Sequence, residues 1–259
     1  MPFLVTPAVP PGSMASMPQP EIVVDAVGGM AGVGGVNAMG GVDAVDAVGG
    51  VDAVGGVGGV GGVGGVGGVG GVGGVGGVGG VGGIGGGMDG MVLRPWRVAD
   101  LPAILAAYAD PAIQRWHCRS MDADEARAWI ASWPQRWRRE TDAGWAIVIE
   151  GGVTEGVVAG QISLRRIDLP EGLGAVSYWV LPGARGRRVA PRALSALTGW
   201  AFGTLGLQRI EVSHSTANPA SCRVAVHAGF AAEGVKRSGA KHTDGWHDMH
   251  LHARLASDM

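Results

Sequence analysis

From Val24 to Ile84 an apolar residue (Val, Met or Ile) stands at every third position, and nearly all of the rest is Gly-Gly or Asp-Ala. Nine uninterrupted Gly-Gly-Val triplets run from Gly55 to Val81. A strand places side chains on one face with period 2 and an α-helix with period 3.6, so a strict period of 3 gathers these valines onto no face of either. A collagen-like coil is excluded as well, because Gly occupies two of every three places and Pro none. Ordering one triplet costs roughly 3–6 kcal/mol of backbone entropy, and burying its single Val returns at most about 3 kcal/mol. The repeat is therefore expected to be disordered.

This divides the chain into a low-complexity segment, 1–87, and a folded part, 88–259. Of the 50 Gly, 34 precede Met91, whereas all nine Trp and all 20 Lys and Arg follow it. Glu21, Asp25, Asp43, Asp46, Asp52 and Asp89 give the residues before Met91 a charge of −6 and leave +4 on those from Met91 onward. A mildly basic domain suits a small anionic ligand better than a nucleic-acid duplex, which asks for a denser basic stripe. Gly contributes little to membrane transfer, so the Gly-Val run is not expected to span a bilayer. The opening MPFLVTPAVPPGSM lacks a basic n-region and is not expected to be a secretory signal. Two cysteines, Cys118 and Cys222, supply no disulfide framework, and a cytoplasmic location is expected. Residues 1–87 are expected to be dispensable for folding, translation starting at Met88 or Met91 being one option and an elastin-like assembly segment the other.

The remaining 169 residues from Met91 suffice for one domain. Asp100 before Leu-Pro starts a helix, and Asp122 with Glu125 three residues on forms a capping box. The second helix carries Trp129, Trp133 and Trp137 on one face, either packed or forming an acceptor-binding wall, with Pro134 expected to end or kink it. Strands follow at 145–149, 157–165 and 175–181, the first two joined by a hairpin at Gly151-Gly152. Next come a helix over 191–205, a strand over 209–214, a helix over 219–228 and strands near 230–236 and 246–255. Strand, helix, strand is a βαβ unit, so the fold class is α/β with a mixed sheet.

The loop PGARGRRVAP (182–191) joins the third strand to the long helix. A Gly-containing turn at a helix amino end leaves N–H groups unpaired beside the positive end of the dipole, which makes an anion site. A solvated basic loop is the other reading. Glu211 shares a strand face with Ser213 and Ser215 and is either a general base acting through a water or the partner of Arg209 or Arg223. Cys222 has no His fixed beside it by spacing and reads as a small filler, and His214, on the face opposite Glu211, reads as packing. Asp248, His250 and His252 alternate on one strand face, but no fourth ligand is spaced nearby, and no metal is expected.

Four segments in order, LRPWRVADLPAIL, Tyr178 to Phe202, LQRIEV and Asn218 to Phe230, resemble the GNAT superfamily of acyl-CoA N-acyltransferases, in particular its RimJ/RimL-like ribosomal-protein and small-amine members. The resemblance implies a GNAT fold over nearly all of 91–259, acetyl-CoA as co-substrate and a primary amine as acceptor. The family loop, Gln/Arg-x-x-Gly-x-Gly/Ala, matches Arg185 and Ala190, while Arg188 replaces its central Gly. The resemblance further implies that pantetheine lies along Trp179, Val180 and Leu181 and that the pyrophosphate meets the N–H groups of Arg185, Gly186, Arg187, Arg188, Val189 and Ala190. Asn218 matches a pantetheine contact, though it is also a helix-cap residue, and Ser221 matches the hydroxyl that protonates the leaving thiolate. The alternative to this enzyme is a noncatalytic acyl-CoA-binding or interaction module.

Overall fold

The computed structural model describes residues 8–24, 30–34, 90–151 and 154–259. Most of the repeat lies outside them, and where it is described, at Val24 and over 30–34, it is strand and not disordered as expected. Among the described residues nine strands form one sheet: β1 (Glu21–Val24), β2 (Met30–Gly34), β3 (Met91–Pro95), β4 (Ala143–Gly151), β5 (Thr154–Asp168), β6 (Leu173–Val180), β7 (Arg209–Ser215), β8 (Ala231–His242) and β9 (Gly245–Leu255). Their order is β2-β1-β3-β4-β5-β6-β7-β9-β8, antiparallel except between β6 and β7. The helices are α1 (Leu101–Ala109), α2 (Pro111–His117), α3 (Ala123–Arg138), α4 (Val189–Trp200) and α5 (Pro219–His227).

The expected capping box is present: Asp122 accepts from the Glu125 N–H, and the Glu125 carboxylate accepts from the Asp122 N–H, both at 2.9 Å. Pro134 does not end α3, which continues to Arg138. The three tryptophans of α3 are all buried. Trp129 and Trp133 pack with Trp96, Ile104 and Trp179 in one apolar cluster, and Trp137 joins Trp145, Leu194 and Trp200 in the other. They are packing residues and not an acceptor wall.

One region departs from expectation. Residues 8–24 lie against the domain as a strap, with Val9, Met14, Ile22 and Val24 buried in the core that α4 covers. β1 pairs antiparallel with β3, placing Ile22 opposite Leu93. The indole N–H of Trp137 donates to the Met17 carbonyl and that of Trp145 to the Pro20 carbonyl, each at 2.8 Å. The Glu140 carboxylate accepts the N–H groups of Gly12 and Met14 at 2.7 Å and of Ala15 at 3.1 Å. Desolvation pushes the Glu140 carboxyl up, but these three backbone bonds outweigh it and hold the group below the usual carboxylate range. Dispensability of everything before Met88 does not fit this packing: two buried tryptophans would lose their hydrogen-bond acceptors and the core four of its apolar side chains.

β6 and β7 pair over only three positions, Leu173–Arg209, Gly174–Ile210 and Ala175–Glu211, and then diverge. Beyond that point β6 keeps its pairing with β5. Its other edge opens into the space between the two strands.

Candidate active site

Two clefts reach this splay. One, of 780 Å³, runs along the end of β6, over the loop and the amino end of α4, to α5. The other, of 350 Å³, lies between β6, β7 and the closing hairpin and is lined by Arg165, Glu211, Ser213, Ser215, Lys236 and His242 among others. Trp116, His117, Tyr178, Asn218 and Ser221 line both. A ligand in each cleft would meet the other there.

The first cleft contains most of the residues expected from sequence. Trp179, Val180, Arg185, Gly186, Arg188, Val189, Ala190, Asn218 and Ser221 line it, while Leu181 and Arg187 fall outside the lining. Leu181 N–H donates to the Ala159 carbonyl at 2.8 Å, so it is not free to polarise a substrate. Strand alternation then turns the N–H of Val180 toward the splay, consistent with the Val180 carbonyl accepting from Arg185 Nε at 3.1 Å. Trp179 is buried against Trp96 and Tyr108 and contributes backbone more than side chain. Arg185 also reaches Asp110 at 3.2 Å, so its side chain ties the loop to the start of α2.

Gly186, at φ +78, has space where a Cβ would be, and Arg188 sits at φ +57, ψ +25 as the residue preceding α4. That left-handed conformation is the one a glycine adopts without cost. Arg188 thus keeps the backbone path that the family glycine would give. Pro191 is the third residue of α4, where its missing N–H is one of the amino-terminal orphans.

Asn218 caps α5, its Oδ1 accepting the Ser221 N–H at 3.1 Å. Ser221 Oγ lies 2.7 Å from the Tyr178 hydroxyl. Burial pushes the Tyr178 phenol up to about 12, against the opposing effect of its bond to Ser221, so the phenol stays protonated at neutral pH. Tyr178 had escaped the sequence reading. The signal was available in strand alternation, which turns residue 178 with 180 toward the splay. His117 Nε2 faces the Tyr178 carbonyl at 3.2 Å, and burial drives this imidazole down to about 4, leaving it neutral.

Glu211 lies at the closed end of the splay and is held by Arg209 at 2.9 Å, the ion pair considered from sequence. Arg209 in turn pairs with Glu233. A second polar chain leaves the same cleft: Ser215 Oγ is 2.6 Å from His247 Nδ1, and His247 Nε2 is 2.8 Å from Asp244. The hydrogen bond from His247 holds the exposed Asp244 carboxyl below its ordinary value. With the carboxylate taking the Nε2 proton, Nδ1 presents its lone pair to the Ser215 hydroxyl. These residues are 32 positions apart, and no local motif announces them.

Residues 91–231 match the family model described as an acetyltransferase (GNAT) domain. The chain belongs to the GNAT acetyltransferase family. It is 28% identical over 119 residues to YdaF of Bacillus subtilis (strain 168) and 29% identical over 101 residues to the ribosomal-protein-serine acetyltransferase of Escherichia coli (strain K12). These alignments cover 46% and 39% of this chain and 64% and 56% of the relatives' own lengths. Mycobacterium smegmatis RimJ, solved in complex with CoA-disulfide, superposes with a TM-score of 0.60 at 23% identity, over 66% of this chain and 85% of that one. RimL, the ribosomal L7/L12 alpha-N-protein acetyltransferase solved with coenzyme A, gives 0.57 at 21% identity, over 64% and 93%. At these identities the superpositions establish the GNAT fold. Among the described residues no helix is long and apolar enough to cross a membrane.

Proposed function

We propose that this protein is an acetyl-CoA-dependent N-acetyltransferase that moves an acetyl group directly to a primary amine, a protein amino terminus or a small amine, in the cytoplasm. The meeting of two clefts at the Tyr178–Ser221 hydroxyl pair carries the proposal, since a module that only held acyl-CoA would need the first cleft alone. The relatives described as ribosomal-protein acetyltransferases support a protein amino terminus as the acceptor class.

In this mechanism the loop from Arg185 to Ala190 and the amino end of α4 bind the pyrophosphate, with Arg188 adding charge at the rim. The small residues Gly186 and Ala190 let the phosphates approach the backbone. Val180 N–H donates to the thioester oxygen as charge develops there. The neutral amine attacks the carbonyl carbon from the second cleft, a nitrogen–carbon bond forms and the carbon–sulfur bond breaks. Ser221 gives its proton to the departing thiolate and is resupplied by the protonated Tyr178 hydroxyl 2.7 Å away, which takes a proton back from solvent before the next turnover. The ammonium proton leaves through Ser215, His247 and Asp244 toward solvent, with Glu211 an electrostatic neighbour held by Arg209. An α-amino group of pKa about 8 asks little of such a base, whereas a lysine near 10.4 asks more.

The test is thiol release from acetyl-CoA with peptides bearing free amino termini, polyamines and aminoglycosides. Turnover is expected with at least one class, and Ser221→Ala is expected to lower kcat about 100-fold or more while the KM for acetyl-CoA changes far less. Binding of CoA without release in any arm would leave only the binding module. Full turnover in Ser221→Ala would return Ser221 to the first turn of α5 as an ordinary helix residue.

A further inference from the structure

β7, β9 and α5 bring together four groups that the acetyl-transfer reading leaves unused. His214 stands opposite His250 in the antiparallel register, with His252 two residues on along the same face of β9. α5 lays Cys222 over them. The ligand atoms of His214, Cys222, His250 and His252 all lie within 4.8 Å of one another, and Cys222 Sγ is 3.7 Å from His252 Nε2. His214 and His252 are buried, Cys222 and His250 half-buried.

Packing does not account for this group. The rings do touch, His214 stacking on His252 with centroids 5.2 Å apart, but apolar side chains would fill the same volume at lower cost than buried imidazoles. The orientation of His214 is more specific still. Its Nδ1 is 2.8 Å from the Ser215 carbonyl, which can only accept, so Nδ1 carries the proton and Nε2 the lone pair. That Nε2 is buried and, among the described residues, has no hydrogen-bond partner. An imidazole whose N–H is anchored on a backbone carbonyl and whose other nitrogen is bare is the form in which histidine ligates a metal.

We propose that His214, Cys222, His250 and His252 are the four ligands of a site for zinc or a similar borderline-soft divalent cation. Three imidazoles and a thiolate suit zinc, cobalt or copper rather than magnesium or calcium, which take oxygen ligands. Tetrahedral zinc at its usual bond lengths sets ligand atoms roughly 3.3–3.8 Å apart. The Cys222–His252 distance already falls in that range, and the others need only a side-chain closure. Binding releases the Cys222 thiol proton to solvent and changes no oxidation state. With four protein ligands the site is closed, so its role is to fasten α5 to the sheet. α5 carries Asn218 at its cap and Ser221 in its first turn, one residue from the ligand Cys222, and the metal thereby sets the depth of the hydroxyl in the splay.

Cobalt(II) titration of the full chain, first stripped with a chelator and kept free of CoA, tests this apart from any acetyl transfer. One equivalent is expected to give a sulfur-to-cobalt charge-transfer band in the near ultraviolet and the intense visible bands of four-coordinate cobalt, both erased by zinc. The chain has two cysteines. Cys118→Ser should therefore keep the charge-transfer band and Cys222→Ser lose it, while His214→Gln should weaken binding beyond the roughly 10–100-fold that loss of an outer partner costs. Zinc should also raise the melting temperature of the chelated protein. Absence of the band, its loss in Cys118→Ser, or a weak six-coordinate visible spectrum would overturn the site. Should Cys222→Ser fail to fold, the band in Cys118→Ser assigns the sulfur on its own.

Discussion

The strap of residues 8–24 and the loop of residues 182–190 are both irregular segments laid against the same sheet, yet they dispose of their backbone groups in opposite ways. Strap carbonyls at Met17 and Pro20 close the hydrogen-bonding needs of Trp137 and Trp145, and strap N–H groups converge on Glu140. Its apolar side chains go into the core. The loop, by contrast, is exposed from Pro182 through Arg188 apart from Ala184, and the N–H groups at the start of α4 have no helical acceptors. Saturated backbone marks scaffold here, and unsaturated backbone aimed at a cleft marks a site.

The largest test of this contrast removes the strap. Deleting residues 1–24 forfeits the burial of Met14 and Ile22, worth about 1.5–3 kcal/mol each, and orphans two buried indole N–H groups at about 1–3 kcal/mol each. The sum rivals the whole stability of an ordinary domain, about 5–15 kcal/mol. Loss of a cooperative urea transition, or a midpoint lowered accordingly, is expected. An unchanged midpoint would make the strap a passive cover.

Next in size is Gly186→Pro. Proline cannot adopt the φ of +78 found there and removes the N–H of a residue that lines the cleft. CoA binding is expected to weaken by about 1–3 kcal/mol, measured calorimetrically, with a smaller change in the urea midpoint. A loss confined to folding would place the loop with the scaffold.

Glu140→Gln returns to the strap at a smaller scale. The amide keeps one acceptor oxygen and loses the charge, at an expected cost of about 1–2 kcal/mol at neutral pH. The carboxyl is held below its unfolded value, so the native state binds fewer protons than the unfolded state as the pH falls through that window. The contribution is complete above the unfolded value and is lost as pH falls through the folded one. Wild type and variant should therefore converge in stability on acidification, and a gap independent of pH would mean that Glu140 acts through packing alone.

The sequence discloses these two regions unequally, for physical reasons. The loop announces itself through Gly186, its arginines and its place between a strand and a helix, and the βαβ unit around it follows from periodicity. The strap has Pro, Ser and Met without a period, and it precedes a repeat that no ordered element could be expected to cross, so nothing local betrays Met14 or Ile22 as core. The site divides in the same manner. Ser221 and Asn218 sit in one short segment and could be matched to a family motif. Tyr178 could be reached only through the alternation of β6, and the Ser215–His247–Asp244 chain and the group of His214, Cys222, His250 and His252 exist only once β7, β9 and α5 are assembled.

Arg188→Gly probes the smallest effect and bears on the comparison from the loop's side. Arg188 holds φ +57 without the excuse of being glycine, a strain of about 1 kcal/mol, and it is exposed, so little packing repays it. Glycine relieves that strain but also loosens the unfolded chain by about 0.5–1 kcal/mol, so the stability is expected to stay within about 0.5 kcal/mol of wild type. The backbone N–H groups remain where they are. CoA affinity should then fall by less than about tenfold, or 1.4 kcal/mol, because only a rim charge is lost. A steeper fall, relieved by raising the ionic strength for neither protein, would show that the guanidinium itself grips the phosphate.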